Sequence, residues 1–230
     1  MTQISAVIFD LDNVLYDEKE YFYAAFEKIA AYLSERCNIP QEKVFNKLIS
    51  DFEEKSSMYP WLFNDIIADF GLDQKIITEI LMLFSSVKPE LRLYSGSEDL
   101  LLSLRQKRFK LGLITNGNVI TQRNKVKLLK LEKYFDTIIY AREVAGGKDK
   151  PNPEAYLATL EALGVKPQEA IYIGDNPYTD FLGAKKLGIK TVRLQMGEFK
   201  NVNLGPEYEA EILVKKISEI YSILNLPSKY

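Results

Sequence analysis

The 230-residue chain contains no histidine. This absence excludes Ser-His-Asp and Cys-His catalytic units, and it excludes zinc sites that are built on histidine. It also removes the side chain that most often carries acid–base chemistry near neutral pH. If the chain is an enzyme, its chemistry must rest on carboxylates, lysine, hydroxyl groups or a hard metal ion.

Cysteine is almost as scarce, because Cys37 stands alone. One cysteine forms no disulfide within the chain and no thiolate metal cluster, and it fits a reducing compartment. The first apolar run, Ala6–Phe9, ends at Asp10 and is too short for a signal peptide or a membrane span. We therefore expect a cytoplasmic protein with no membrane partner.

The charge is nearly balanced, with a formal net charge of −2. Hydrophobic residues make up 47% of the chain and charged residues 27%, as in ordinary globular proteins. This balance favours no nucleic-acid partner. A basic segment further along the chain is therefore interpreted as a solvated helix face, formed by Arg123, Lys125, Lys127, Lys130 and Lys133.

Strand and helix patterns alternate over most of the chain. Such alternation predicts an α/β fold, a Rossmann-like parallel sheet with helices on both faces. A closing amphipathic helix is predicted from Leu213, Ile217, Ile220 and Leu224. The predicted strands cover residues 4–9, 110–115, 137–140, 170–174 and 190–194.

A purely helical stretch interrupts this alternation directly after the first strand. Phe22, Phe26, Ile29 and Leu33 recur at helical spacing and form one apolar face. We interpret the stretch as an insertion that forms a separate helical cap. The predicted organisation is a core domain of residues 1–15 and 91–230 and a cap domain of residues 16–90.

Acidic residues follow the first predicted strand. Asp10 and Asp12 are two apart, so in an extended segment their side chains point to the same side. Neighbouring carboxylates repel each other unless a cation is present. A divalent cation with oxygen ligands, Mg²⁺ by default, is the simplest partner for such a pair.

Further polar residues follow the other predicted strands. Thr115 and Asn116 offer donors to an anion at the second strand end, Lys150 lies in a glycine-containing loop, and Asp175 precedes Asp180 by about one turn. Ligands of such sheets bind at the carboxyl ends of the strands. Carboxylates, a hydroxyl and a lysine converging there suit a phosphoryl group bound together with Mg²⁺.

These residues resemble the motifs of the haloacid dehalogenase-like hydrolase superfamily. Asp10, Asp12 and Val14 match its DxDx[TV] motif, and Thr115 matches the hydroxyl residue of the second motif. Lys150 in KPNPEAY is similar to the third motif, and Asp175 with Asp180 matches GDxxxxD. A helical insertion directly after the first motif is similar to the C1 cap subclass.

The resemblance implies a Mg²⁺-dependent phosphatase that acts on a small phosphorylated metabolite through an aspartyl-phosphate. It implies that Asp10 is the nucleophile, that Asp12 is the general acid and then the base, and that Thr115 and Lys150 hold phosphoryl oxygens. Asp10, the backbone carbonyl of Asp12, and Asp175 would bind Mg²⁺. Asp180 would support the metal site or orient Lys150.

Several alternatives are weighed against this interpretation. Asp12 argues against dehalogenase and phosphonatase chemistry, whose enzymes replace that residue. A β-phosphoglucomutase-like phosphotransferase stays open, although Asn13 and the absent histidine disfavour it. A signalling receiver domain has a different motif order and lacks the insertion. A catalytically inactive family member that serves protein interaction is the non-enzyme alternative, and it has no chemical need for the intact charges. A sugar phosphate and a nucleoside monophosphate both suit this interpretation as substrates, and the sequence does not choose between them. It does not predict the oligomeric state.

Overall fold

The computed structural model describes residues 3–227, so residues 1, 2 and 228–230 of the predicted core domain lie outside it. The chain divides into two compact units. The first runs through Glu18 and resumes at Arg92, and the second is Lys19–Leu91. Among the described residues, no helix combines the length and apolar character that crossing a membrane requires.

Within residues 3–227, the first unit is built on a six-stranded sheet in which every neighbouring pair of strands is parallel. The strand order is β3-β2-β1-β4-β5-β6, so β1 lies between β2 and β4. β1 is apolar and buried throughout, as expected for a strand covered on both faces. The strands are β1 (Ala6–Phe9), β2 (Lys110–Thr115), β3 (Thr137–Tyr140), β4 (Ala170–Gly174), β5 (Lys190–Leu194) and β6 (Ile212–Val214).

Within the described residues, helices α1 to α5 lie in the chain between β1 and β2, and α6 to α10 connect or follow the later strands. The first four are α1 (Glu18–Cys37), α2 (Gln41–Lys55), α3 (Leu62–Asp69) and α4 (Ile77–Ser86). The others are α5 (Ser97–Gln106), α6 (Val119–Leu128), α7 (Ala141–Val144), α8 (Glu154–Leu163), α9 (Phe181–Leu187) and α10 (Ile217–Ile223).

Local sequence signals explain where the crossover helices begin and end. Asn118 caps α6, because its side-chain oxygen accepts hydrogen bonds from the backbone amides of Ile120 and Thr121. Gly164 ends α8 and Gly188 ends α9, both in the left-handed conformation that glycine adopts without strain. One buried cluster then packs helices against the sheet, and it includes Ile8, Ile114, Tyr156, Tyr172 and Phe181.

The helical unit has a core of its own. One cluster of buried side chains joins its helices and includes Phe26, Leu33, Leu48, Ile66 and Ile80. The predicted apolar face of α1 contributes directly to this cluster. Burial of these side chains stabilises the packing of the helices within the unit.

The predicted fold class is confirmed: the first unit is a Rossmann-like parallel sheet with helices on both sides. The five predicted strands are present, but β6 was missed. The predicted closing helix wrongly included Leu213, which lies in β6 and is 48% exposed, whereas α10 begins at Ile217. Three residues on the edge of a sheet carry too little periodic pattern to be separated from a helix that follows closely.

Candidate active site

The carboxyl ends of three adjacent strands bring the first site residues together. Asp10 follows β1, Thr115 ends β2 and Asp175 follows β4, and these strands lie side by side in the sheet. The backbone amide of Asp10 donates to the carbonyl of Ile173 over 2.9 Å, so the β1–β4 pairing extends to the aspartate. All three side chains are buried.

Lys150 reaches Asp10 from a different part of the chain. Its Nζ donates to Asp10 Oδ1 over 2.5 Å, to Asp180 Oδ1 over 2.8 Å and to the Tyr172 hydroxyl over 2.7 Å. We call Lys150, Asp10 and Asp180 the Lys150 triad. Lys148, which lies two residues earlier in the same loop, is exposed.

Asp180 also holds the turn that follows β4. Its Oδ2 accepts hydrogen bonds from the backbone amides of Asp175 and Asn176, over 3.1 and 2.9 Å. A Cβ at Gly174 would lie 2.4 Å from Asp180 Oδ2, so this close approach requires glycine. The GDxxxxD spacing thus reflects a carboxylate that folds back onto the turn that carries Asp175.

Asn116 and Gly183 hold the backbone of the Lys150 loop. Asn116 Oδ1 accepts from the Lys150 amide over 2.9 Å, and its Nδ2 donates to the Lys150 carbonyl over 3.5 Å. A Cβ at Gly183 would lie 2.3 Å from the Pro151 carbonyl oxygen, so α9 approaches the loop closely. The Asn116 side chain, predicted for phosphate binding, is thus engaged with Lys150, and its role toward phosphate stays a prediction.

Asp12 has a lysine of its own. Lys125 Nζ donates to Asp12 Oδ1 over 2.7 Å and to Glu18 Oε1 over 3.3 Å. The Tyr16 hydroxyl donates to the same Asp12 oxygen over 2.6 Å. We call Lys125, Asp12 and Glu18 the Lys125 triad.

The prediction that Lys125 belongs to a solvated helix face is wrong, because the residue is only 2% exposed. Arg123 and Lys127, two positions away on either side, are exposed. Sequence reasoning also missed Gln122, which is buried. The available signal was the spacing of Gln122, Lys125 and Leu129, which places all three on one helix face directly after the Thr115 turn.

Arg193 holds the backbone carbonyl of Asp175. This fully buried side chain of β5 donates from Nε to the Asp175 carbonyl over 3.1 Å. Its Nη1 donates to the Val202 carbonyl and to Glu209, over 2.9 and 2.6 Å, and its Nη2 donates to the Phe199 carbonyl. One side chain therefore ties the segment around residues 199–209 to the turn at Asp175.

Burial dominates the electrostatics of the carboxylates. It raises the pKa of Asp10 to about 7, with Lys150 acting in the opposite direction. Burial, together with the Asp12 charge, raises the pKa of Glu18 to about 8. Burial and then the charges of Asp180 and Asp10 hold the pKa of Asp175 well above its usual range. A cation bound near these groups would favour their charged forms.

The donor set fits a hard divalent cation. Carboxylate oxygens of Asp10, Asp175 and Asp180 lie within 4.8 Å of one another. Asp175 Oδ2 is buried and has no hydrogen-bond partner among the described residues, whereas both Asp180 oxygens accept hydrogen bonds. Asp10 and Asp175 are therefore suited to bind a cation directly, and Asp180 is suited to orient its neighbours.

Fold and site together define an α/β protein with a Rossmann-like sheet and a carboxylate-rich edge. The family model described as "Haloacid dehalogenase-like hydrolase" matches residues 7–194. The chain belongs to this family, and the resemblance drawn from the motifs is confirmed.

Relatives of known name align along most of the chain. The glyceraldehyde 3-phosphate phosphatase of Methanocaldococcus jannaschii is 32% identical over 225 residues, 96% of this chain and 97% of the relative. The phosphorylated carbohydrates phosphatase of Thermotoga maritima is 29% identical and covers 82% of this chain and 84% of its own. The crystal structure of a phosphatase of the same superfamily from Thermococcus onnurineus has a TM-score of 0.69 at 29% identity, covering 98% of this chain and 100% of its own. These names agree with the predicted phosphoric monoester hydrolase.

Proposed function

We propose that the protein is a Mg²⁺-dependent phosphatase that hydrolyses a small phosphomonoester of the sugar-phosphate class. The observation that carries the proposal is the position of Asp10, whose carboxylate lies beside the Lys150 ammonium at the carboxyl edge of the sheet. The names of the Methanocaldococcus and Thermotoga relatives support the substrate class.

In the first half of the reaction, Asp10 attacks the phosphorus atom. A bond forms between a carboxylate oxygen and phosphorus, and the bond from phosphorus to the leaving oxygen breaks. Asp12 donates a proton to that oxygen, so the product leaves as a neutral alcohol. The products of this half are the alcohol and an aspartyl-phosphate on Asp10.

In the second half, water attacks the same phosphorus atom. Asp12, now a carboxylate, takes a proton from the water as the new bond forms. The bond between phosphorus and Asp10 breaks, and the carboxylate returns to its starting form. Inorganic phosphate is released, and no group outside the two aspartates has to move a proton.

Charge on the transferring group is balanced by cations and donors from three strand ends. Lys150 and the Thr115 hydroxyl would hold phosphoryl oxygens. Asp10, the Asp12 carbonyl and Asp175 would hold Mg²⁺, which supplies positive charge to the phosphoryl oxygens when bound. Asp180 would keep Lys150 and the Asp175 turn in place through its observed hydrogen bonds.

We also propose that the helical unit acts as the cap that selects the leaving group. Its supporting feature is its place in the chain, directly after the motif that carries Asp10 and Asp12. Exclusion of water by such a unit protects a reactive phosphoryl intermediate.

Phosphate release by the purified full chain tests the proposal. With Mg²⁺, the protein should hydrolyse p-nitrophenyl phosphate and, in a panel of phosphorylated metabolites, prefer sugar phosphates such as glyceraldehyde 3-phosphate over nucleoside monophosphates. EDTA should stop the reaction.

Substitution of each aspartate of the first motif separates their roles. Asp10→Asn should reduce turnover to background with an unchanged circular dichroism spectrum, since no nucleophile remains. Asp12→Asn should lower kcat by about 10²–10⁴-fold, the usual contribution of a positioned acid–base group. Full activity of Asp10→Asn would refute the mechanism.

A further inference from the structure

Helix α6 turns two polar side chains toward the catalytic edge of the first unit. Gln122 and Lys125 are three residues apart, so they lie next to each other on one face of the helix. Both are buried, at 3% and 2% exposure. The Asn118 cap begins this helix directly after the Thr115 turn, which sets the direction in which both side chains point.

Gln122 connects two groups with different proposed roles. Its Nε2 donates to Asp12 Oδ2 over 2.7 Å and to Thr115 Oγ1 over 2.5 Å. A hydroxyl that accepts a hydrogen bond still has its own proton to donate. Gln122 therefore leaves the Thr115 proton available for a phosphoryl oxygen while it fixes one oxygen of Asp12.

Lys125 fixes the other oxygen of Asp12. The Asp12 carboxylate thus receives donors on both oxygens, Gln122 on Oδ2 and Lys125 with Tyr16 on Oδ1. Glu18 accepts a hydrogen bond from the same Lys125 ammonium over 3.3 Å, which limits where the ammonium lies. Rotation of the Asp12 side chain would break at least one of these hydrogen bonds.

Burial of an ammonium and an amide at this place is costly for stability alone. Apolar side chains of similar volume often replace buried ion pairs with no loss of stability. Exposed positions for basic residues are available on the same helix at Arg123 and Lys127. The buried polar pair is therefore better explained by what it does to Asp12 and Thr115.

We propose that Gln122 and Lys125 are positioning residues that aim the Asp12 carboxyl at the leaving oxygen and orient the Thr115 hydroxyl toward the phosphoryl group. This inference rests on the phosphatase function proposed above. Neither residue needs to touch the reacting atoms, because each acts through a hydrogen bond to a group that does.

The inference predicts that the loss of activity in a variant depends on the leaving group of the substrate. An alkyl phosphate needs a proton on its leaving oxygen, whereas p-nitrophenolate leaves without one. A misplaced Asp12 should therefore slow the alkyl ester more than the aryl ester. Loss of stability alone would lower the rates of both esters by the same factor.

The experiment measures kcat/KM with a sugar phosphate and with p-nitrophenyl phosphate, because this ratio reports on the steps that form the aspartyl-phosphate. Gln122→Met is the first variant, since it removes the hydrogen bonds and leaves no charge unpaired. We expect kcat/KM for the sugar phosphate to fall by about 10²-fold, as a misplacement of about 1 Å can cause. The value for the aryl ester should fall about tenfold less.

Lys125 is tested in the same way. Lys125→Met should show the same selective loss. The double variant Lys125→Met/Glu18→Gln should show it too, and it replaces the Glu18 carboxylate that would otherwise lose its lysine partner. Lys125→Arg should restore part of it, because a cationic donor is retained. Lys127→Met, an exposed lysine of the same helix, should leave both values unchanged.

The outcomes separate this inference from the function on which it rests. If the wild type hydrolyses both esters and folded Gln122→Met keeps the wild-type ratio between them, the positioning role is refuted and the phosphatase stands. If the wild type hydrolyses neither ester, or if Asp10→Asn is as active as the wild type, both proposals are refuted.

Discussion

The two triads place one buried ammonium beside each aspartate of the first motif. In the Lys150 triad, the side chains of Lys150, Asp10 and Asp180 are 2%, 10% and 1% exposed. In the Lys125 triad, those of Lys125, Asp12 and Glu18 are 3%, 18% and 13% exposed. The cations are equally buried, but the carboxylates of the second triad keep more contact with solvent.

This difference agrees with the different roles that we propose for the two aspartates. A nucleophile that receives a phosphoryl group benefits from a fixed, water-poor environment, where its cation acts most strongly. An acid–base group must exchange protons with the alcohol and with water in each cycle, so partial exposure suits it. Both triads thus pair a buried lysine with two carboxylates, and they differ in how far the carboxylates are buried.

The sharpest way to break the comparison is to remove each lysine in turn. Lys150→Met leaves two buried carboxylates unpaired, so it should lower the free energy of unfolding by about 3–5 kcal/mol and abolish turnover. Lys125→Met should cost less stability and leave measurable turnover, because its carboxylates stay partly solvated. Urea denaturation and phosphate release measure both effects.

Lys148→Met is the matched control for the loop, since this exposed lysine should change stability by less than about 0.5 kcal/mol. Equal losses for Lys150→Met and Lys125→Met would mean that the difference in carboxylate exposure has no energetic consequence.

Metal addition should act on a side chain of the first triad and on no side chain of the second. Mg²⁺ at about 100 times its Kd should stabilise the folded wild type by about 2.7 kcal/mol, since it binds the native state alone. Asp175→Asn should lose most of this gain, and Lys125→Met should keep it. Thermal unfolding with Mg²⁺ and with EDTA measures the shift, and an undiminished gain in Asp175→Asn would place the cation elsewhere.

The third expected effect is a pH dependence to which each triad contributes one carboxyl group. Folding raises the pKa of Asp10 from 3.8 to about 7 and that of Glu18 from 4.5 to about 8. Between about pH 5 and 8 the folded protein therefore binds more protons than the unfolded chain, and its free energy of unfolding falls as the pH rises.

The slope is measured first in the metal-free protein, and two changes should then each remove the contribution of one triad. Mg²⁺ favours ionised Asp10 and should remove the contribution of the first triad, whereas Glu18→Gln should remove that of the second. Urea denaturation at several pH values measures the slope. A slope that is unchanged by both would contradict the raised pKa values.

The sequence predicted which residues lie together around Lys150, because the order of parallel strands constrains their placement. Parallel strands end at a common edge, so Asp10, Thr115 and Asp175 had to lie near one another. The similarity of KPNPEAY to the third family motif selected Lys150, and the structure buries this lysine.

The Lys125 side was not predictable in the same way. Lys125 stands among basic residues of a helix, and Glu18 lies in a charged run at the start of α1, where solvated side chains are the usual outcome. Their burial depends on how α6 packs near the Asp12 loop, which local sequence does not encode. Here α6 has no strong apolar stripe to show which face is inside, since Thr121, Gln122 and Lys125 are among its buried residues.

Arg193 has a consequence for how the segment around residues 199–209 opens. The Phe199 and Val202 carbonyls of this segment accept hydrogen bonds from the Arg193 guanidinium, which also donates to the Asp175 carbonyl. Local unfolding of the segment would therefore remove contacts that hold the guanidinium beside Asp175, which couples the two regions in free energy. Amide hydrogen exchange in this segment should slow when a cation occupies the acidic edge, so a loop outside the catalytic residues would report on the state of the site.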